Sequence, residues 1–334
     1  MLLAALALAA SASSVAAPNA AAAAATAAAA AGAATAPSAA KMALVLSGGG
    51  AKGAYEVGVL RRFCEDAPPG GSGWSVLTGA SIGAMNAAAL AQFKRAEQCT
   101  AGLEMLTAYW RSIKTLDDVM VAEKGYSCFS VMAPVTMGNN FFYKGAICDP
   151  APGYANYRAR VNASAIHASG VELAVVASGL STGTAEWFSG TDPDIVDGAL
   201  ASGAIAPIVF PHYIGGRRGQ WFVDGGLFDN SPILEALRRG AGEAVVITLD
   251  VSSADPAVTN ATFKAGEAGQ AVIEYYLSVG EQDFFFSAEL RSACLDFPEA
   301  KVQGLIPSET PGSLLGFTAA DIEATMQLVW QIYI

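Results

Sequence analysis

The chain has 334 residues, of which 53% are hydrophobic and 15% charged, and it carries a formal net charge of −11. That composition supplies apolar material for one large core. Such acidity excludes nucleic acid as a partner, because that binding rests on neutralising phosphates. It also gives no attraction to anionic membranes, so any lipid contact would rest on apolar surface.

The first 40 residues hold no charged side chain. Met1 to Ala10 is a short apolar run followed by small residues, as in an export signal, although the basic start of such signals is missing. Ala20 to Ala40 is almost pure alanine and reads as a low-complexity linker. The division expected is therefore 1–40 as signal-like leader and linker, and 41–334 as one domain. The five cysteines (Cys64, Cys99, Cys128, Cys148 and Cys294) show no zinc-type spacing. They read as small buried hydrophobes, with one or two disulfides open to an exported chain and at least one thiol left over.

From Lys41 onward, short apolar runs alternate with helical stretches. Ala43–Leu46 predicts a buried strand, Ala54–Cys64 a helix, Trp74–Thr78 a strand and Ile82–Phe93 an Ala-rich helix. Val171–Ala177, Gln220–Val223 and Ala244–Leu249 predict further strands. This alternation implies an α/β fold with a largely parallel sheet flanked by helices. Residues 115–165 are irregular and read as an insertion or lid, containing the aromatic cluster Phe141-Phe142-Tyr143. Phe141, Phe142 and Phe284 to Phe286 read chiefly as ordinary core, with an acyl site as the alternative use.

Gly48-Gly49-Gly50-Ala51-Lys52-Gly53 satisfies GxGxxG between a strand and a helix. A dinucleotide fold would need an acidic residue at the end of the next strand, and Trp74–Thr78 offers none. A phosphate loop would need lysine where Ala54 stands. The remaining chemistry is anion stabilisation, with successive backbone N–H groups turned into one concavity at a helix N-terminus. Gly79-Ala80-Ser81-Ile82-Gly83 is GxSxG, again between a strand and a helix. A sharp turn there projects the serine from a strained backbone, and only small residues fit beside it.

The choice of base turns on histidine. The chain has two, His167 and His212, and none follows Asp224. A hydrolase triad in the order serine, acid, histidine would therefore have to end on one of those two. His167 reads as a surface residue, whereas His212 sits beside an apolar loop and could line a pocket. Asp224 closes the predicted strand Gln220–Val223 and is followed by Gly225 and Gly226, which clear space around its carboxylate. A desolvated carboxylate in reach of a serine can act as general base; a plain turn aspartate is the structural alternative.

Together these segments resemble the patatin-like phospholipase family. Gly48–Ala54 is similar to its oxyanion loop, Gly79–Gly83 to its nucleophile elbow and Asp224–Gly226 to its aspartate motif. Ala201–Pro207, Ser181–Gly183 with Trp187–Ser189, and Asn230–Pro232 match further blocks in family order. The resemblance implies a three-layer α/β fold, no metal or cofactor, and acyl-ester substrates, usually lipids, met at a membrane or micelle surface. It implies Ser81 as nucleophile and Asp224 as base, without histidine. The N–H groups of Gly48, Gly49 and Gly50 would form the oxyanion hole, with Lys52 bracing that loop and Gly79, Gly83, Gly225 and Gly226 supporting the motifs. His212 departs from the family, which often has a second proline there. The rival readings are an esterase of another fold using a histidine base, and a nucleotide-binding or inert module on the same fold.

Overall fold

A buried parallel sheet needs strands that are apolar on both faces, and Ala43 to Leu46 meet that demand with no side-chain exposure. The computed structural model describes residues 38–66, 73–122, 126–128, 138, 140–143, 145–216, 219–249, 282–307, 311–313, 315–328 and 330–333, with backbone alone at 38–40, 282–288 and 330–333. The signal-like run, most of the alanine-rich linker and the side chains of Phe284 to Phe286 lie outside this description. Strand β1, Ser38–Leu46, opens three residues inside the segment assigned to the linker.

The elements follow as α1 (Gly53–Asp66), β2 (Val76–Ala80), α2 (Ile82–Leu90), α3 (Leu103–Ser112), α4 (Ala151–Arg158), α5 (Ala163–Ser169), β3 (Glu172–Gly179) and β4 (Thr184–Ser189). Then come α6 (Ile195–Ser202), β5 (His212–Ile214), β6 (Gln220–Val223), α7 (Ile233–Arg238), β7 (Ala241–Ile247), α8 (Gln282–Asp296), β8 (Lys301–Pro307), α9 (Ala319–Met326) and β9 (Trp330–Tyr333). Hydrogen bonding orders the strands β5-β6-β3-β2-β1-β7-β8-β9, with β4 also on β3. The central run from β3 to β8 is parallel, as expected, while β4, β5, β6 and β9 pair antiparallel.

Both faces of the sheet are covered. Leu44 and Leu46 enter one core with residues of α1, α2, α3 and α6, whereas Ala43 and Val45 enter a second core with α7 and α8. The two-residue period of the strand sends neighbours to opposite faces, so the fold is a three-layer α/β arrangement. Helix α2 is buried over all nine residues, and its alanines let it lie close against the sheet.

Several boundaries move. The second strand runs on to Ala80, through the first two residues of the GxSxG motif, because Gly79 and Ala80 pair with Val175 and Val176 of β3. The following helix stops at Leu90 rather than Phe93. His212 opens the short strand β5 and is not among the residues lining the cleft beside Ser81. Phe141, Phe142 and Tyr143 are 47%, 83% and 86% exposed, so these rings are not core. The described residues of 115–165 include regular structure: α4 falls among them, and Val121 bridges to both Ser127 and Asp149.

The cysteine reading is also corrected. Cys64 pairs with Cys99 and Cys128 with Cys148, leaving Cys294 as a free thiol. Partners 35 and 20 residues apart lie in different elements that only folding brings together. Loop-closure entropy assigns each bridge a stabilisation of about 3–4 kcal/mol, the larger for Cys64–Cys99. A Cys64→Ser/Cys99→Ser double variant should therefore lose about that much unfolding free energy, measured from urea midpoints without reductant.

Candidate active site

The site exists because two strand ends meet on one edge of β3. Strand β2 pairs along that edge as far as Val176 and ends at Ala80. Strand β4 covers the opposite edge, pairing with Ser178 and Gly179 among others. Those same two residues also pair with Val223 and Phe222 of β6. A strand has only two hydrogen-bonding edges, so β6 runs head-on toward β2 along the edge β2 has left. The next residue on each chain is Ser81 on one side and Asp224 on the other.

Ser81 is the single non-glycine residue with positive φ among the described residues, at φ 52° and ψ −127°. A side chain held there costs about 1–3 kcal/mol. The turn is clamped by close packing: a Cβ on Gly83 would lie 2.2 Å from the Leu46 carbonyl oxygen. One on Gly79 would lie 2.4 Å from the Gly83 oxygen. The Ser81 N–H donates to Ser202 Oγ at 2.7 Å, and its carbonyl accepts from the Ala84 and Met85 N–H groups, so Ser81 caps α2.

The Ser81 hydroxyl donates to Asp224 Oδ2 at 2.6 Å. The other carboxylate oxygen, Oδ1, accepts from the Gly226 N–H at 2.8 Å. The aspartate backbone is fastened as well, since its N–H donates to the Ala204 carbonyl at 2.9 Å and its carbonyl accepts from Ser178 Oγ at 2.6 Å. Gly225 is obligatory here, because a Cβ would fall 2.1 Å from the Val176 oxygen. Burial pushes the Asp224 carboxyl up to about 7, against the opposing hydrogen bonds from Ser81 and Gly226. Its 7% exposure makes desolvation the winning effect.

The glycine turn lies beside this pair. Gly50, at φ 58°, borders a cleft together with Ser81. Lys52 is buried in the short 3-10 turn Gly50–Lys52. Gly48 is tied to the neighbouring loop. Its N–H is engaged by Asn230, through Oδ1 at 3.1 Å and the carbonyl at 3.3 Å. The loop Asn230–Pro232 buttresses the turn further, with Ser231 Oγ 2.7 Å from Ser47 Oγ and the Pro232 carbonyl accepting from Thr78 Oγ1.

Neither histidine touches the pair. His167 Nε2 donates to the Asp192 carbonyl and His212 Nε2 to Asp197 Oδ1 at 2.9 Å. The His212 contact, with Arg158, draws the Asp197 carboxyl down to about 2. Sequence reasoning quoted Ser202 only as part of a motif and missed its bond to Ser81. It also missed a buried chain behind the cleft. The Asn86 amide donates to Glu56 Oε2 at 2.7 Å, and Trp110 Nε1 donates to Asn86 Oδ1 at 3.0 Å. Glu56 is fully buried and its carboxyl is raised well above the usual range by desolvation. The available signal was an acid at helical spacing with Val59 and Leu60, which both face the core.

Because the folded carboxyl of Asp224 lies above its unfolded value near 4, burying the charged form is unfavourable. The stabilising contribution is full at low pH and disappears as pH rises through about 7. Asp224→Asn should thus raise the melting temperature at pH 8 by a few degrees, with the gain shrinking toward pH 5. Thermal melts across that range check it.

Comparison with known proteins adds family to geometry. Patatin-like phospholipase, as a family model, matches residues 44–112 and 167–237. Patatin-like phospholipase domain-containing protein 7 of Rattus norvegicus is 27% identical over 219 residues. That match covers 64% of this chain but 14% of the rat protein, so the chain spans only a small part of that relative. Among solved structures, VipD from Legionella pneumophila aligns at TM-score 0.38 and 16% identity, over 89% of this chain and 68% of its own. The type III effector protein ExoU aligns at TM-score 0.28 and 14% identity, over 89% and 55%. The glycine turn, the serine elbow and Asp224 all fall inside the stretches that match the patatin-like phospholipase model.

Proposed function

We propose that this chain is a serine hydrolase that cleaves acyl esters of lipids, with Ser81 as nucleophile and Asp224 as base. The observation that carries the reading is the 2.6 Å hydrogen bond between a strained, helix-capping serine and a buried carboxylate raised to about 7. The match to the patatin-like phospholipase family supports lipid as the substrate class.

In this mechanism Asp224 takes the Ser81 proton as Oγ attacks the ester carbonyl. The negative charge that develops on the carbonyl oxygen is met by the N–H groups of Gly49 and Gly50 and by the positive end of α2. Asp224 then returns its proton to the departing alcohol, leaving an acyl group on Ser81. Water loses a proton to the same carboxylate and attacks the acyl-enzyme, and Asp224 returns that proton to Ser81 Oγ as the acid is freed. The base must be ionised, so kcat/KM rises with pH as Asp224 deprotonates.

A histidine base has less support, since both imidazoles are engaged elsewhere. Export fits the signal-like start and the two disulfides, which persist in oxidising compartments. Substrate presented at a lipid or micelle surface fits as well, and no helix among the described residues is long and apolar enough to cross a membrane.

On a short p-nitrophenyl ester, Ser81→Ala and Asp224→Asn should each lower kcat on the order of 10³-fold or more. His167→Gln and His212→Gln should stay within about twofold of the parent chain; abolition by either would install the histidine rival. The pH profile of kcat/KM should climb to its half-maximum near pH 7 and keep that midpoint in both histidine variants. Absence of fluorophosphonate labelling at Ser81 would support an inert module instead.

A further inference from the structure

We infer that Leu315 and Phe317, which line the cleft beside Ser81 from outside the family-matched stretches, determine which acyl-chain lengths the site selects. This rests on the hydrolase reading above. The cleft is about 70 Å³ in volume and reaches Gly50 and Ser81 at the reacting end. Its walls are apolar. The polar atoms that two of its rings carry are turned to partners in the protein: Trp110 Nε1 to Asn86 Oδ1, and the Tyr154 hydroxyl to the Leu200 carbonyl at 3.1 Å. A wall so largely apolar suits a hydrocarbon chain, which has no hydrogen bonds to lose on entry.

The origin of the walls identifies what sets selectivity. The family match breaks off at residue 112, resumes at 167 and ends at 237. Ile113, Val119, Met120 and Tyr154 line the cleft from the first unmatched stretch, and Leu315 and Phe317 line it from the second. The reacting groups thus come from the matched residues, and much of the chain-binding surface comes from the others. Phe317 stacks on Trp110 with ring planes 6° apart and centroids 6.5 Å apart. Its segment is held down on α3, where the Ala319 N–H donates to the Lys114 carbonyl and Arg111 pairs with Glu323 across 3.0 Å. The stacked pair is a fixed wall, so a change of volume there alters which chains fit.

The test compares kcat/KM on p-nitrophenyl decanoate and acetate for the full chain, Leu315→Trp and Phe317→Ala, with decanoate binding to the Ser81→Ala protein measured by calorimetry. Each buried methylene adds roughly fourfold to affinity, so the full chain should favour decanoate over acetate by more than tenfold. Leu315→Trp narrows the slot and Phe317→Ala removes a wall. Each should cut the decanoate-to-acetate ratio at least fivefold, and should weaken decanoate binding to a comparable degree when combined with Ser81→Ala. Phe317→Leu, a smaller change, serves if Phe317→Ala does not fold. Equal losses on both esters, or an unchanged ratio with unchanged decanoate binding, would overturn the assignment. Decanoate binding that responds to both variants in a chain that cleaves no ester would keep the slot and discard the hydrolase. Ester cleavage with no chain-length preference would do the reverse.

Discussion

Two strands arriving from opposite directions along one edge of β3 are the constraint on which everything else here depends. Pairing of Ala80 with Val176 and of Val223 with Ser178 leaves room for the two chains to turn away, and no more. Each chain must leave the sheet sharply, which is why one turn forces Ser81 to positive φ and the other admits only glycine at position 225. The short hydrogen bond between Ser81 and Asp224 is the product of that collision. Supports from Ser202, Ser178, Ala204 and Gly226 hold both partners at backbone or side-chain atoms, so neither can relax alone. Groups held this way need little reorganisation when charge develops beside them.

Burial then does two things at once. It withdraws water from Asp224, which raises its affinity for a proton into the range where a carboxylate can work as a base near neutrality. It also sets Ser81 at the edge of an apolar cleft. The charged aspartate is unfavourable in this setting, and the strained serine adds to that burden. The compensation comes from the two cores on either side of the sheet, whose parallel strands are buried on both faces. Stability is lent by the scaffold to a site that is poorly stable by itself.

The molecule divides its labour along the chain. Turns that carry the reacting groups lie in two stretches separated by residues 113–166. That intervening segment, with its Cys128–Cys148 bridge and its contacts to Val209, borders the cleft, and so does the tail around Phe317. A site of this kind can change the chain it accepts without disturbing the serine or the aspartate, because different elements supply the two functions.

What was legible in the sequence was whatever short-range sterics dictate. Ala43–Leu46 had to be buried, GxSxG had to be a tight strand-to-helix turn, and Asp224 had to stand at a strand end beside glycines. Each of those needs is met within about five residues, so local pattern reveals it. The strand after Trp74 was read too short because its last residues, Gly79 and Ala80, have little strand propensity and are held by pairing with β3. The rest depended on partners far away in the chain. Asn230 takes the Gly48 N–H across 182 positions, Ser202 takes the Ser81 N–H across 121, and cysteines that looked like core residues found each other 35 and 20 positions apart. Residue type states what a side chain can bond to, but not what folding places within 3 Å of it. The sequence by itself determined the two turns and the chemistry they can hold; only the tertiary structure decided that they face each other, which backbone N–H groups stay available, and which walls enclose the space between.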